Sequence, residues 1–432
     1  MGSNGNLALV LMLIVVGLLN ADQNIINSML GPIEAEFHVN DAAIGLMSGL
    51  FTLVGAAISL IWGYLSDKGN RKNLFTFTVL IGQIPCLLTA FVTNYQQFFW
   101  LRVLTGIGVG ASFPVVFSML GDLYDEKKRA IAVTWMTTVI GVGQILGQLV
   151  GGYLGPVYGW RFPFIAISVP NLLILVLFYI LVTEPKRGAS EESLRRMIAE
   201  GYVYTKTIKL SDYISLAKIK TNVLLFLQGA AGTIPWGAIP LFLVKFLSDI
   251  KFLTIEQATT IFLLFAIGNI LGTITGGIIG SKLLKKNASY LPLFCSITTL
   301  IGTAITLYLF LFIPAGELIG TCIFGLIAAF FASMTGPNMR TMLLDVNVPE
   351  NRGAIFSIFN LTDSVGNGLG KYVAGNLSVM FGLTAAISVS AAFWIPCAIF
   401  LWLIARTFQK DIDGMHQKLN QVATEIKPQY GM

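Results

Sequence analysis

An all-α integral membrane protein, with twelve transmembrane helices in two pseudo-symmetric six-helix bundles, is predicted by three features of the sequence. The chain divides into twelve apolar runs long enough to span a bilayer, its cations gather at alternate ends of those runs, and one motif recurs in both halves. Of 432 residues, 55% are apolar and 12% charged, with a mean hydropathy of +0.75. A soluble domain carries roughly 25% charged residues. The net charge of +6 is thus a matter of loop placement, and no nucleic-acid partner is expected. Cys86, Cys295, Cys322 and Cys397 lie far apart inside apolar runs, and His38 and His416 stand outside them. With no metal-ligand spacing and no nucleophile and base set in the membrane, the chain reads as neither an enzyme nor a cofactor protein.

The first run, about Leu7 to Leu30, has no basic segment before it and carries Asp22, so it reads as a retained helix. Asn20, Gln23, Asn24 and Asn27 share one helical face, an arrangement that needs water or other helices to meet it. Asp22 points nearly the opposite way, beside Leu18, Ile25 and Met29, where desolvation favours a neutral carboxyl. It is a candidate proton-coupling group; the alternative is a permanent ion pair with a neighbouring helix. The second run spans about Asp41 to Ser66, after a loop with Glu34, Glu36 and Asp41 but no cation. The next turn, Gly63 to Lys72, holds Asp67 among Lys68, Arg71 and Lys72. Gly63 permits close helix approach, and an Asp67–Arg71 pair at the surface is either a breakable latch between bundles or a solvated turn. The third run covers about Asn73 to Thr93. The fourth, about Gln96 to Leu120, starts with interfacial aromatics, carries Arg102 two turns in, and continues Gly106-Ile-Gly-Val-Gly110. Arg102 is read as either functional at depth or snorkelling outward. After Asp122 to Arg129, the fifth run carries Gly143, Gly147, Gly151 and Gly155 at the spacing of a packing ridge. The sixth covers about Phe162 to Thr183.

Residues 185–220 form a polar linker, in which Glu191 to Tyr204 has the pattern of an amphipathic surface helix. It separates an N-terminal bundle at 1–184 from a C-terminal bundle at 221–408 and a tail at 409–432. Six runs follow the linker. Met119-Leu-x-Asp122 with Arg129 matches Met342-Leu-x-Asp345 with Arg352, and Gly63 to Lys72 aligns with Gly277 to Lys286, Ser281 replacing Asp67. All but five of the 28 Lys and Arg fall on the side of both termini; Arg161, Lys245 and Lys251 face the other side, and Arg102 and Lys371 lie within the membrane. Both termini are therefore expected in the cytoplasm of a multi-pass cell (inner) membrane protein. In the seventh run Gln228, Thr233, Pro235 and Trp236 interrupt apolar sequence, and a bend is expected. Ser333, Thr335, Asn338 and Arg340 make a polar stretch in the tenth. Asn360, Asp363, Asn367 and Lys371 share one face of the eleventh.

These patterns resemble the major facilitator superfamily. The carriers of that resemblance are G-x-x-x-D-K-x-x-R-K from Gly63, R-x-x-x-G-x-G-x-G from Arg102, Gly336 to Gly353, and Asn360-Leu-Thr-Asp363 with Gly366-Asn-Gly-Leu-Gly370; the last two look like the spinster-type branch. The resemblance implies a monomeric, proton-linked carrier of a small amphiphilic substrate such as a lysophospholipid, moving between two halves by alternating access. It implies Asp22 and Arg102 for protons, and Asn24, Asn27, Arg102, Gln228, Trp236, Asn338, Asn360, Asp363, Asn367 and Lys371 for substrate. Gly63, Asp67, Arg71, Asp122, Arg129, Asp345 and Arg352 would form the latch. Bacterial members carry a Glu seven residues after the Arg of the fourth run, where Val109 stands here. A drug or organic-anion transporter, an uncoupled scramblase and a solute-sensing receptor are the alternative readings.

Overall fold

The computed structural model describes residues 4–68, 70–123, 126–183, 216, 218–348 and 352–426, and every regular element among them is helical. In the first half these are α1 (Asn4–Ile25), continued by a 3-10 turn at Ile26–Ser28, α2 (Leu30–Phe37), α3 (Asp41–Lys68), α4 (Arg71–Thr89), α5 (Tyr95–Gly110), α6 (Ser112–Leu123), α7 (Glu126–Tyr158) and α8 (Phe162–Leu181). In the second half they are α9 (Lys220–Asp249), α10 (Ile255–Lys286), α11 (Tyr290–Leu311), α12 (Leu318–Ser333), α13 (Thr335–Asp345), α14 (Arg352–Phe381), α15 (Leu383–Ala392) and α16 (Trp394–Ile426). Ten helical stretches among the described residues are long and apolar enough to cross a membrane. The third and eleventh expected spans, α4 and α14, fall outside that set: α4 opens on Arg71 and Lys72, and α14 carries the Asn360 to Lys371 polar face. The amphipathic linker helix expected at Glu191 to Tyr204 lies outside the described residues.

Proline accounts for the places where one apolar run becomes two helices. A helical Pro has no N–H, and its ring clashes with the carbonyl four residues back. Pro114 lies four residues after Gly110, Pro337 four after Ser333 and Pro396 four after Ala392, the last residues of α5, α12 and α15. The first two of these breaks stand at matching positions of the internal repeat. The repeat extends to contacts as well: a Cβ on Gly63 would lie 3.7 Å from Pro114, and one on Gly277 would lie 3.7 Å from Pro337. At Pro235 and Pro240, by contrast, α9 continues unbroken as a 30-residue helix.

Two compact units result. The first contains residues 1–206 with 240–259 and 371–380; the second contains 207–239, 260–370 and 381–432. The packing units thus differ from the sequence halves, because the last turns of α9, the start of α10 and the last turns of α14 pack with the N-terminal helices. The first unit's core joins Met12, Val16 and Leu19 of α1 to Phe75, Val115, Met136 and Phe178. The second unit's core joins Leu225, Leu291, Met342, Phe359 and Leu401.

The glycine ridge of α7 lies directly on the backbone of α1. A Cβ on Gly143 would fall 2.1 Å from the Gly17 carbonyl oxygen, on Gly147 1.7 Å from that of Ala21, and on Gly151 2.6 Å from that of Ile25. Four-residue steps on α7 match four-residue steps on α1, so the two helices touch along one small-residue seam. Gly147→Val is expected to lower the melting temperature and the monodisperse yield in detergent, since overpacking of this kind costs about 1–3 kcal/mol or more. Gly141→Ala, where no atom lies within 4 Å of the new Cβ, is expected to leave both unchanged or slightly raised. Equal melting of the two variants would count against the seam.

Candidate functional site

The seam sets the depth of α1 and so the place of Asp22. Asp22 is 0% exposed and Arg102 2% exposed, and Arg102 Nη1 donates to Asp22 Oδ1 at 2.5 Å. Arg102 Nη2 donates in addition to the Asp22 backbone carbonyl at 3.1 Å. The guanidinium lies 5.2 Å from the Phe51 ring centroid and 5.5 Å from that of Phe164. Arg102 therefore does not snorkel outward; it closes on α1 between two aromatic faces. Asp22 Oδ2 is buried without a hydrogen-bond partner. Breaking such a pair by removing one member leaves an uncompensated buried charge, which costs about 3–5 kcal/mol. Val109 is half-buried against the first unit's apolar core, so no carboxylate from that position joins the pair.

Around the pair, the polar face of α1 is engaged mostly within its own unit. Gln23 donates to Asn20 at 2.6 Å, Asn24 Nδ2 to the Gln144 carbonyl at 3.2 Å, and Asn27 Nδ2 to Asn24 Oδ1 at 3.2 Å. Asn24 thereby holds α1 to α7, and Asn27, just past the end of α1, braces Asn24. Lys371 Nζ donates to Thr52 Oγ1 on α3 at 2.8 Å, within the first unit. Asp363, on the same face of α14, lies in the second unit, where its Oδ1 is buried without a partner beside Gly229. Gln228 donates to Cys397 Sγ at 3.2 Å, and the Trp236 ring meets those of Phe265 and Trp394 at 5.8 and 5.7 Å. Asn338 donates to the Gly276 and Met334 carbonyls, filling the groove beside Gly280. Asn360 is exposed, and the Asn367 backbone packs against Gly237.

Of the expected latch, Gly63 packs on Pro114, Arg71 is buried and donates from Nε to the Ser66 carbonyl at 3.2 Å, and Asp345 is half-buried at the end of α13. The side chains of Asp67, Asp122, Arg129 and Arg352 lie outside the described residues.

A second charge cluster was not singled out from the sequence as a site. In the first unit Lys245 of α9 donates to Glu34 of α2, and at 2.6 Å to Asp41 of α3; Ser378 of α14 donates to the other Asp41 oxygen at 2.6 Å. The signal was a lone Lys in an apolar run, read there only as a mark of topology. Nearby, Arg161 forks onto Glu36 at 2.5 and 2.8 Å, and Trp160 donates to Glu36 at 2.7 Å, which holds that carboxyl below its usual range. Trp160 also packs edge to face with Phe37 and Phe98, which are tilted against each other.

A helical membrane chain with internal repeats and buried intramembrane charge belongs to a known class, and a family model identifies it: residues 12–327 match the Major Facilitator Superfamily, so the chain is a member of that transporter family. Its similarities place it with the spinster-type proteins. It is 24% identical over 375 residues to the sphingosine-1-phosphate transporter SPNS2 of Danio rerio, covering 83% of this chain and 73% of that one. It is 26% identical over 400 residues to protein spinster homolog 1 of Bos taurus, covering 87% and 74%. Among solved structures, a bacterial homolog of the human lysosomal transporter spinster, inward-facing and unoccupied, superposes with a TM-score of 0.85 at 21% identity over 95% of this chain and 99% of that one. A D-xylose-proton symporter superposes with a TM-score of 0.69 at 16% identity, over 93% and 98%. These likenesses at low identity establish the fold.

The Lys245 cluster has a pH signature. Burial is the largest influence on Glu34 and pushes its carboxyl from 4.5 up to about 8, with Asp41 adding to the shift and Lys245 opposing it. The assembled cluster thus holds a proton more tightly than a water-exposed Glu34 does. Its stabilising effect is fully present below about 4.5, declines as pH rises toward about 8, and is lost above that. The melting temperature of the wild type is expected to fall from pH 5 to pH 8.5 more steeply than that of Glu34→Gln, which stays neutral throughout. Identical pH slopes would remove Glu34 from the account.

Proposed function

We propose that the protein is a proton-coupled secondary transporter working by alternating access, with an amphiphilic substrate such as a lysophospholipid. The single observation that carries this reading is the fully buried Asp22–Arg102 pair. Protonating Asp22 removes one of two charges held in low dielectric, so Arg102 then lacks its counter-charge and favours any arrangement that brings it an anion. A substrate with an anionic head group and an apolar tail meets that requirement. The likeness to a sphingosine-1-phosphate transporter points the same way. The reading takes α4 and α14 as spanning helices that complete twelve, in a monomer in the cell (inner) membrane with both termini cytoplasmic. Asp67, Arg71, Asp122 and Arg129, with Asp345 and Arg352 in the second half, serve it as a latch at the cytoplasmic face.

Uptake of a lysophospholipid into proteoliposomes, with and without an imposed proton gradient, tests the reading. Wild-type flux is expected to respond to the gradient. Asp22→Asn is expected to abolish that response while the protein stays folded and monodisperse. Downhill flux indifferent to the gradient would favour an uncoupled scramblase, and an intact gradient response in the variant would take Asp22 out of the mechanism.

A further inference from the structure

Inside the second unit lies a cavity of about 200 Å³, lined by α9, α10, α11, α12, α13 and α16. Polar side chains are set into a largely apolar wall, and no Asp, Glu, Lys, Arg or His lines it. Gln228 and Asn269 supply amides; Thr233, Thr273, Thr299, Ser333 and Thr335 supply hydroxyls; Trp236 and Trp394 supply aromatic surface. At this size it is smaller than the roughly 300–1,000 Å³ sites of drug-sized ligands, so it takes a head group rather than a whole lipid.

Hydrogen-bond accounting narrows the chemistry of that group. Thr233 Oγ1 donates its proton to the Gly229 carbonyl at 2.8 Å, and Ser333 Oγ donates to the Asn269 carbonyl at 3.0 Å. Thr299 and Thr335 share one hydrogen bond at 3.0 Å. The Trp394 indole N–H is used on the Gly232 carbonyl at 3.0 Å. The Gln228 amide nitrogen donates to Cys397 Sγ, while Gln228 Oε1, in a side chain that is 2% exposed, has no partner. The Thr233 and Ser333 hydroxyl protons and the Trp394 N–H are spent on the protein itself, whereas Gln228 Oε1 is a buried acceptor still to be met, with the Asn269 amide and the Thr273 hydroxyl on the same wall. A carboxylate or phosphate brings only acceptors and no counter-charge awaits it. A quaternary ammonium has no N–H to give Gln228 Oε1, and Asp363, which stands behind Gly229, is not itself a lining residue. An uncharged group with several hydroxyls donates to Gln228 Oε1, accepts from the Asn269 amide, and sets its C–H faces against the two indoles, which stand edge to face at 5.7 Å.

The geometry points to a site for a neutral polyol head group, a glycerol or a sugar ring, within the C-terminal unit. The inference rests on the carrier reading for its biological sense and refines the substrate class there to one that bears an uncharged hydroxylated portion.

The test uses the full chain in phosphatidylcholine nanodiscs, free of sugar detergents, and titrates three amphiphiles with one acyl chain: 1-oleoylglycerol, oleic acid and oleoylcholine. Binding is read by tryptophan fluorescence, with Trp236→Phe to assign the signal. In the part of the signal that Trp236→Phe removes, 1-oleoylglycerol is expected to bind at least tenfold tighter than either charged probe. Gln228→Met, which deletes the unpartnered acceptor, is expected to weaken it about three- to tenfold. Tighter binding of oleoylcholine or oleate overturns the proposal, as does an unchanged affinity in a folded Gln228→Met protein. The ranking of probes on the wild type decides the matter even if that variant fails to fold. Proton-driven flux is not part of this readout: if the ranking fails while Asp22-dependent transport persists, only the cavity assignment falls, and if coupling fails while the ranking holds, only the carrier mechanism does.

Discussion

The contact of α1 with α7 through backbone alone is the constraint on which the rest depends. Because Gly143, Gly147 and Gly151 present no side chains, α1 sits against α7 closely enough for Asn24 and Ser28 to donate to the α7 carbonyls of Gln144 and Gln148. That approach sets the depth and rotation of α1. Asp22 is thereby turned away from α7 and toward α5, where Arg102 is two turns in from the helix start. A bulky residue anywhere on the seam would move the carboxyl out of reach of the guanidinium. Packing of small residues and placement of a buried charge are here one structural fact.

The buried pair and the Lys245 cluster are two different answers to charge in a low-dielectric setting. Arg102 and Asp22 meet one to one, with a second hydrogen bond to the Asp22 backbone and two aromatic faces against the guanidinium, so the charges are held by shape as much as by sign. Lys245 faces two carboxylates, and burial, with the neighbouring Asp41 adding to it, leaves Glu34 ready to take a proton near neutral pH. The second arrangement joins α2 and α3 to the final turns of α9, with Ser378 of α14 completing the Asp41 contact. Segments distant in sequence are thus tied into the first unit by groups whose charge depends on pH.

Proline placement organises both halves in the same way. The breaks before Pro114 and Pro337 fall at equivalent points of the repeat, and each of the two prolines faces a glycine of a neighbouring helix. The same device therefore shapes α5–α6 and α12–α13. Yet the two units have diverged chemically. The first buries ionised groups, whereas the cavity of the second is lined by amides, hydroxyls and indoles.

Helix content, the approximate positions of ten spanning runs, the internal repeat and the placing of Asp22 and Arg102 within apolar helices were legible in the sequence. Apolar length and charge spacing are local properties, and a carboxylate or guanidinium amid apolar residues stands out wherever the chain folds. Periodicity also placed Asn24 and Asn27 on one face, but could not tell that α7 backbone would occupy it. Nor could it show that Lys371 reaches Thr52, that Lys245 gathers Glu34 and Asp41, or that the last turns of α9 and α14 pack with the N-terminal helices. Those outcomes depend on which helix faces meet across hundreds of residues. A one-dimensional pattern states what a face contains; only packing in three dimensions decides what stands opposite it.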